Sequence, residues 1–536
     1  MKTLKFILLN LLLVAGVSAS AQEYSWKADP VDGDMTGCVA PSKDNVDEAL
    51  GTIKGGKYHA PNGKVYKRNS IVTKTAQVVI DAQPTMARVK EVVGYSVNAM
   101  EAEYPESALS NWFIDLLMKK TETLAGKKVH MGITNFGGIR ADMPQGSVLL
   151  DDILSMFPFK NYLTYVEHTG KQIRTILETM AAGRFEVLGG VRVVAEDGKL
   201  LSVEIAGEPL DDDKVYGVAT ISFLLEGGDN LSLAKNAVSV TMYNDVPISD
   251  AVLEHIKAEK EAGRPIEMRK FIYVIAALCA AVSLNAQSLT ILHFNDTHSH
   301  IDPLRTGELK GRGGVIEQAA YIDSVRKADG KKNVLLLNAG DFSQGTSYFP
   351  EMGGNIEVDV FNAMGYDAVA LGNHEFDNGV EELARRVKNI KAPVLCANYD
   401  FTGTALEGLV DPYVILKKAG KKIGIIGLLP DVSSVVSANL VRGLQYQDPV
   451  EVVNNYARYL LEEKKCDLVM CLSHLGFRKD KYLASQVRNI DLIVGGHSHT
   501  HLDDIVLVED LDGKTVRIVQ NWHWGLNVGN LKLTWE

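Results

Sequence analysis

The chain has 536 residues, of which 46% are hydrophobic and 23% charged, and its formal net charge is -11. These proportions are typical of packed globular protein and exclude a coiled coil or a wholly disordered chain, while a mean hydropathy of -0.02 excludes a polytopic membrane protein. The acidic balance also disfavours a nucleic acid polymer as partner, because that kind of binding needs a basic surface.

The chain begins with a pattern typical of an export signal. A basic start with Lys2 and Lys5 precedes an apolar run over 6–17, and small residues at 19–21 follow. A basic start, a short apolar stretch and a small-residue cleavage site together make a secretory signal peptide. We therefore predict a signal peptide over residues 1–21 and an exported protein, either periplasmic or secreted to the cell envelope.

Residues 22–267 are predicted to form the first folded unit. Strand-like residues 129–133 are followed by Thr134-Asn135-Phe136-Gly137-Gly138-Ile139-Arg140, and two later loops cover 157–161 and 223–229. Paired glycines let the backbone approach a ligand, and arginine suits phosphate or carboxylate. Loop phenylalanines can stack on a planar base. The same residues also fit core phenylalanines and a turn with a surface arginine, so both interpretations stay open at this point.

The export pattern is repeated inside the chain. Met268 and two basic residues, Arg269 and Lys270, open it, an almost unbroken apolar run covers 271–284, and 285–287 close it. Fourteen apolar residues are short for a bilayer, which needs about 20. We favour a signal-peptide-like segment over 268–287 and expect no stable membrane span. The alternatives are a marginal membrane anchor and a core helix between domains.

Apolar strand-like runs alternate with helical patterns through the second unit, residues 288–536. Strands are predicted at 289–294, 334–338, 368–371, 394–397, 423–428, 468–471 and 492–494, and helices at 314–326, 356–364, 380–390 and 449–464, before hairpin-like sequence to residue 536. This alternation predicts an α/β layered core. Folds of this kind bind ligands at the carboxyl ends of their strands.

Polar clusters follow five of the predicted strands. They are Asn295-Asp296-Thr297-His298, Gly340-Asp341, Gly372-Asn373-His374-Glu375, Ser473-His474 and Gly495-Gly496-His497-Ser498-His499. Each cluster alone has an ordinary structural explanation, but five in this position indicate a metal site. Carboxylate, imidazole and amide ligands without cysteine suit Zn, Mn, Fe or Co. So many ligands suit two ions about 3.5–4 Å apart that share a carboxylate, an arrangement that promotes phosphoryl displacement.

These motifs, in this order, resemble those of the calcineurin-like metallophosphoesterase superfamily, and the stretches 292–298 and 372–377 narrow the resemblance to the 5′-nucleotidase family. The resemblance implies a four-layer α/β/β/α sandwich over residues 288–536. It also implies that His374, oriented by Asp377, steadies charge on the phosphate. The implied ligands of two divalent metals, Zn, Mn or similar, are Asp296, His298 and His499 for one ion, Asn373, His474 and His497 for the other, and Asp341 as the bridge.

The first unit resembles the C-terminal, substrate-binding domain of the same family, over residues 66–262. The resemblance implies a separate mixed α+β domain in which two phenylalanines sandwich the base. The implied substrate contacts are Asn135, Gly138, Arg140, Phe159, Asn161, Phe223 and Asp229. In the family the metal domain comes first, so the domain order here is reversed. We expect the two halves to pair with each other, in cis or in trans.

Together these expectations indicate an exported dinuclear-metal phosphohydrolase that releases phosphate from nucleoside 5′-monophosphates. The paired cations would lower the pKa of a bridging water, and the resulting hydroxide would attack phosphorus opposite the leaving alkoxide. Two alternatives stay open. One is a 2′,3′-cyclic nucleotide phosphodiesterase or a nucleotide or nucleotide-sugar pyrophosphohydrolase, since the metal site serves both ester classes. The other is an extracellular nucleotide-binding module without catalysis, formed by the first unit alone.

Overall fold

The structure is a computed structural model that describes residues 23–267, 287–437 and 439–535. The predicted export signals, 1–21 and 268–287, lie outside these ranges except for Gln287. Within the described ranges, no helix has both the length and the apolar character needed to cross a bilayer.

Residues 23–90 form a segment of short strands and one long helix. The helix α2 starts after Ser70, whose hydroxyl oxygen accepts the backbone N–H of Thr73, a common way to satisfy a free amide at a helix start. Its buried residues, which include Val72, Ala76 and Val79, recur at helical spacing and so form one apolar face. The elements of this segment are β1 (Glu23–Pro30), α1 (Val46–Leu50), β2 (Thr52–Lys54), β3 (Lys57–His59), β4 (Val65–Tyr66) and α2 (Ile71–Met86).

The remainder of the first unit is a mixed α+β domain with its own hydrophobic core. Its main sheet has five strands in the order β14-β8-β13-β6-β9, and two smaller sheets pair β10-β11-β12 and β5-β7. The elements are β5 (Val92–Ser96), α3 (Ala108–Ala125), β6 (Met131–Thr134), β7 (Gly146–Leu149), α4 (Leu150–Met156), β8 (Tyr162–Thr169), α5 (Gly170–Ala182), β9 (Val187–Gly189), β10 (Val191–Glu196), β11 (Lys199–Ile205), β12 (Glu208–Pro209), β13 (Val215–Ile221), β14 (Ser239–Pro247) and α6 (Ile248–Glu261).

The second unit alternates strands and helices, as its sequence predicts. The strands at 334–338 and 492–494 have the predicted bounds, and most others differ by one or two residues. The elements are β15 (Gln287–Phe294), α7 (Val315–Ala328), β16 (Val334–Asn338), α8 (Tyr348–Met352), α9 (Asn355–Met364), β17 (Ala368–Ala370), α10 (Val380–Val387), β18 (Val394–Leu395), β19 (Tyr399–Asp400), β20 (Tyr413–Lys418), β21 (Lys421–Leu428), β22 (Gln445–Tyr446), α11 (Pro449–Glu462), β23 (Leu468–Ser473), α12 (Phe477–Gln486), β24 (Leu492–Val494), β25 (Val506–Glu509), β26 (Thr515–Val519) and β27 (Asn527–Trp535).

Two six-stranded sheets, β1-β27-β15-β16-β17-β18 and β20-β21-β23-β24-β26-β25, face each other across an apolar core. Helices α7, α9 and α10 cover the outer face of the first sheet, and α11 and α12 cover that of the second. The predicted four-layer α/β/β/α sandwich is confirmed. The hairpin expected up to residue 536 forms only between β25 and β26. β27 crosses to the first sheet and pairs with β15, because Leu531 and Leu533 are buried between the sheets.

Packing divides the first unit in a way that the sequence does not indicate. Leu50, Val72 and Val79 lie in the same apolar core as Leu292 and Phe361 of the second unit. Residues from 91 onward instead build the separate core of the mixed α+β domain. We call residues 91–267 the substrate half and residues 287–535 the metal half. Residues 23–90 precede the substrate half in the chain but pack on the metal half.

Candidate active site

The predicted metal ligands lie directly after strand ends, and five of the seven are on backbone that most side chains avoid. The angle φ is positive at Asp296 (51°), His298 (46°), Asp341 (52°), His497 (72°) and His499 (50°). A residue with a Cβ held there costs on the order of 1–3 kcal/mol, and such strain clusters at functional sites. Backbone bonds hold these loops, since Asp296 donates its N–H to Gly340 and His298 donates to Asp341, at 2.9 and 3.0 Å.

Glycine lets two of these loops approach each other closely. A Cβ placed on Gly372 would lie 2.2 Å from an Asp341 carboxylate oxygen and 2.4 Å from its backbone nitrogen. Any side chain there would therefore displace the predicted bridging ligand. The glycine before Asn373 is thus required by packing within the site.

One group of potential ligands contains Asp296, His298 and His499. The Nε2 atoms of the two histidines are 3.1 Å apart, and Asp296 Oδ1 lies 3.5 Å from His499 Nε2 and 4.0 Å from His298 Nε2. The other ring nitrogen of His298, Nδ1, faces the carbonyl oxygen of Gln344 at 3.0 Å. A contact of that kind directs Nε2 toward a metal.

A second group contains Asp341, His474 and His497. Asp341 Oδ2 lies 3.0 Å from His474 Nε2 and 3.9 Å from His298 Nε2, so this carboxylate stands between the two groups. His474 Nδ1 contacts the carbonyl oxygen of Ala339 at 2.6 Å. Asn373 Oδ1 is a buried acceptor without a hydrogen-bond partner among the described residues. The structure therefore brings together all the residues predicted to bind metal.

The ionisation of three of the four histidines fits a role as metal ligands. Burial lowers the pKa of His298 and His499 and lowers that of His497 to about 3, so these rings are neutral and offer lone pairs. Burial raises the pKa of Asp296 to about 7, and the charge of Asp341 adds to this effect while His474 opposes it. At His474 burial disfavours the imidazolium, but the Asp341 and Asp296 carboxylates outweigh it and raise the pKa to about 10. Three neutral imidazoles beside two buried carboxylates are donors of the kind that borderline divalent metals prefer.

His374 lies beside the ligands. Its backbone N–H donates to Asp341 Oδ1 at 2.9 Å, and its Nδ1 lies 2.7 Å from Asp377 Oδ2. Burial disfavours the imidazolium, but the carboxylates of Asp377 and Asp341 outweigh it and raise the pKa of His374. The Asp377 contact fixes the ring so that Nε2 is left for a substrate. The predicted orientation of His374 by Asp377 is thus present in the geometry.

Glu375 and Arg386 support the site, and the sequence reasoning assigned neither a role. The buried Glu375 carboxylate accepts the backbone N–H groups of Asp341, Phe342, Ser343 and Gly372, at 2.6 to 3.0 Å. Arg386, also buried, donates to the carbonyl oxygen of Glu375 at 2.7 Å and to Ser343 Oγ at 2.5 Å. One carboxylate therefore joins the loops after β16 and β17. Glu375 could have been found from the sequence, because it belongs to the Gly-Asn-His-Glu motif, whereas Arg386 lies in no recognisable motif.

A cavity of about 460 Å³ opens beside the metal ligands, and both halves line it. The metal half contributes Asp341, Asn373, His374, Asp377, His497 and His499. The substrate half contributes every predicted substrate contact, namely Asn135, Gly138, Arg140, Phe159, Asn161, Phe223 and Asp229. Asp296, His298 and His474 lie behind this lining. A volume of this size suits a small organic ligand.

The loop after β6 reaches furthest toward the metal ligands. Arg140 Nη2 lies 3.0 Å from His298 Nε2, and burial lowers the pKa of the guanidinium. Asn135 Nδ2 donates to Asp229 Oδ2 at 2.6 Å, which joins this loop to the one after Phe223. Two predicted loops of the substrate half therefore act as one surface. Its arginine is placed where a bound phosphate would need charge.

The metal half also supplies an apolar wall that the sequence did not indicate. Val435, Val436 and Leu440, around the 3-10 turn Val432–Ser434, line the cavity together with Phe159 and Phe223. These aliphatic residues occur in no recognisable motif, and only the fold places them opposite the two phenylalanines. The cavity is thus lined by charged and imidazole side chains together with apolar ones, a mixture that is common in sites for small organic ligands.

Comparison with known proteins gives two family matches. Residues 77–236 match the model of the 5′-nucleotidase C-terminal domain, and residues 289–501 match the model of the calcineurin-like phosphoesterase. Among curated proteins, the snake venom 5′-nucleotidase of Crotalus adamanteus is 35% identical over 282 residues, which cover 48% of this chain and 47% of that protein. The 5′-nucleotidase of Diplobatis ommata is 34% identical over 288 residues, 49% of each.

Among solved structures, the 5′-nucleotidase precursor from Thermus thermophilus is 35% identical, with a TM-score of 0.42, over 46% of this chain and 51% of that one. The chain spans about half the length of the curated relatives that it matches.

Proposed function

Because the chain carries both domains of the 5′-nucleotidase family in reversed order, we propose that it is an exported phosphohydrolase that releases phosphate from nucleoside 5′-monophosphates with two divalent metals. The observation that carries the proposal is a cavity lined both by predicted metal ligands and by the two phenylalanines predicted to hold the base. The exported location rests on the two signal-like segments of the sequence, and the domain boundaries on the sequence pattern.

Each part of the cavity matches one part of a nucleotide. Two divalent cations, held by the Asp296 and Asp341 groups, would supply positive charge for the phosphate oxygens and lower the pKa of an attacking water. The Arg140 guanidinium faces the same end and would bind the phosphate. Phe223 and the apolar wall would hold the base, and Asp229 would accept a ribose hydroxyl. His374, kept protonated by Asp377, would counter charge that develops on the phosphoryl or leaving oxygen.

We further propose that the two halves work as a pair, in cis or in trans, because the site is incomplete in either. The metal half holds the ligands and His374, while Arg140, Phe159 and Phe223 come from the substrate half. N-terminal sequencing of the exported product distinguishes the two forms. A start at Gln22 alone indicates one continuous chain, and starts at Gln22 and Gln287 indicate two processed polypeptides.

The test of the reaction is hydrolysis by the full chain of AMP, 2′,3′-cyclic AMP and UDP-glucose, followed by chromatography of the products, each with and without a chelator. We expect the highest kcat/KM with AMP and loss of activity on chelation. An Arg140→Ala variant should lose most of this activity, while Arg192→Ala, an exposed arginine on β10, should keep it. Preference for the diester or the pyrophosphate, or full activity in the chelator, would contradict the proposal.

A further inference from the structure

β1 extends the first sheet of the metal half as its outermost strand. It pairs with β27 antiparallel over its whole length, from Glu23 opposite Thr534 to Pro30 opposite Asn527. The pairing continues past the strand, because Val31 donates its N–H to Leu526 at 2.9 Å and accepts the N–H of Gly313 at 2.8 Å. Continuous main-chain pairing of an added strand is a common way in which one polypeptide binds another.

An aromatic contact fixes the register of this strand. The Trp26 ring stacks on His293 of β15, with ring centroids 5.1 Å apart and planes at 17°. The indole N–H also donates to the carbonyl oxygen of Leu502 at 3.0 Å. A slip by one residue would turn Trp26 to the other face of the sheet and break both contacts.

A buried carboxylate of the metal half is satisfied by residues outside it. Glu317, on α7, is 3% exposed. It accepts the backbone N–H groups of Met35 and Thr36 at 2.6 and 2.8 Å, and the Thr36 hydroxyl at 2.5 Å. Without this loop Glu317 would face water or stay buried and unpaired, and an unpaired buried carboxylate is costly. The metal half therefore contains a socket that fits residues 35–36.

The helix α2 completes the contact from another side. It packs on α7 and α9 within a shared apolar core. At its end, Gln83 Nε2 donates to the Tyr348 hydroxyl at 2.8 Å, and that hydroxyl donates to Asp302 at 2.8 Å. Lys90, 5% exposed, lies 3.4 Å from the same Asp302 carboxylate. A buried charge and its partner thus come from opposite sides of the contact.

Beyond residue 90 the contact with the metal half is more polar and lies around the cavity. It includes an ion pair between Asp152 and Arg305, a 3.2 Å bond from Gln344 to the carbonyl oxygen of Pro158, and the Arg140 contact with His298. These are single polar contacts, and one of them, the Asp152–Arg305 pair, is partly open to solvent. A solvent-screened ion pair contributes little, whereas a shared apolar core with paired main chain contributes much.

We propose that residues 23–90 are a docking arm that holds the substrate half on the metal half without any covalent link between residues 267 and 287. The proposal rests on the pairing of the halves put forward above and not on the reaction. The partner of the arm is the surface of the metal half formed by the β27 edge, the Glu317 socket and helices α7 and α9. Two separate polypeptides would then assemble into one site.

The test uses the full chain with a protease recognition sequence inserted between residues 267 and 287, cut after purification. We expect the two fragments to elute together from a size-exclusion column at about 1 µM, in equal amounts. Fragments that separate under these conditions would overturn the proposal. Association is read independently of phosphate release, so an inactive chain that stays assembled contradicts only the proposed reaction.

Point variants of the cut chain then locate the contact. Trp26→Ala should raise the dissociation constant of the two fragments at least about tenfold, as expected for an aromatic anchor at an interface; Trp26 is half-buried against the core between the sheets. Lys74→Ala, an exposed position on α2, should leave it unchanged, and Phe159→Ala, at the cavity, should change it less than about threefold. If Phe159→Ala raises the dissociation constant as much as Trp26→Ala does, the fragments are held together by the cavity contacts and not by the arm. Thermal unfolding of the uncut Trp26→Ala chain shows whether the variant still folds.

Discussion

The ring of Phe159, from the substrate half, stacks on the imidazole of His374, from the metal half, with centroids 5.5 Å apart and planes at 25°. The Arg140 guanidinium carbon lies 5.8 Å from the centroid of the same phenylalanine ring. Phe159 therefore lies beside two basic side chains of the cavity, one from each half. Its position gives it a part in holding His374, in addition to the base contact that the sequence predicts.

Phe223 and Phe159 are expected to respond differently to substitution. Phe223→Ala should lower kcat/KM for AMP about 5- to 150-fold, since stacking on a base contributes about 1–3 kcal/mol, and should leave p-nitrophenyl phosphate nearly unaffected. Phe159→Ala should lower kcat/KM for both substrates, because it also removes a contact of His374. Steady-state kinetics with the two substrates measure this. An equal loss on both substrates in the Phe223 variant would contradict its role at the base.

His374 and Asp377 are expected to act on the rate and not on metal binding. His374→Ala should lower kcat about 10²- to 10⁴-fold, the usual contribution of a positioned acid–base group. Asp377→Asn should give a smaller loss in the same direction, because the ring stays but its orientation and charge are less favoured. Metal content by mass spectrometry should match the unsubstituted chain in both variants. If His374→Ala leaves kcat unchanged, His374 takes no part in the reaction.

Asp341 is expected to be needed for both metals, because its Oδ2 lies between the two ligand groups. The chain should bind about two divalent ions, and Asp341→Asn should reduce the content to about one or none, with loss of phosphate release. Asp245→Asn, on the exposed side of β14, is the matched control and should keep both ions. Full metal content in the Asp341 variant would show that the carboxylate does not bridge.

His293 is expected to make the folded state sensitive to acid. Burial lowers the pKa of His293 from the ordinary 6.5 to about 3, and neither ring nitrogen has a hydrogen-bond partner among the described residues. As the pH falls from about 6.5 toward 3, His293 binds a proton in the unfolded chain but not in the folded chain. The free energy of unfolding therefore falls by up to about 1.4 kcal/mol per pH unit.

His293→Phe keeps a ring against Trp26 and removes the titration. Urea unfolding at several pH values between 4.5 and 7.5 should therefore show that the free energy of unfolding of the variant rises relative to that of the unsubstituted chain below pH 6.5, and only there. Parallel curves across this range would show that His293 is not a source of the acid sensitivity.

The metal centre could be read from the sequence because each ligand cluster follows an apolar strand directly. Strands such as 334–338 are buried on both faces, so their hydrophobic run is continuous and its end is sharp. Asp341 and the Gly-Asn-His-Glu stretch therefore stood out without any tertiary information. The layered fold followed from the same alternation of strands and helices.

The arm could not be read in the same way. β1 alternates exposed and half-buried residues, which predicts a strand but not its partner, and that partner lies some five hundred residues further along the chain. The cavity wall at Val435 and Leu440 was missed for a related reason, since aliphatic residues on a loop have no signal until the fold brings them to a ligand. Glu375 was visible in its motif, but its four backbone bonds depend on where two loops meet.

The position of β1 has a consequence for the metal half when it is made alone. β27 is nine residues long, and without β1 one whole row of its main-chain groups would face solvent beside buried leucines. Unprotected edges of this kind pair with other chains and lead to aggregation. β1 is itself a protected edge strand. Glu23, Lys27 and Pro30 are exposed along it, and charged residues and proline hinder pairing with a further strand. The arm would thus protect the metal half from aggregation as well as hold the two halves together.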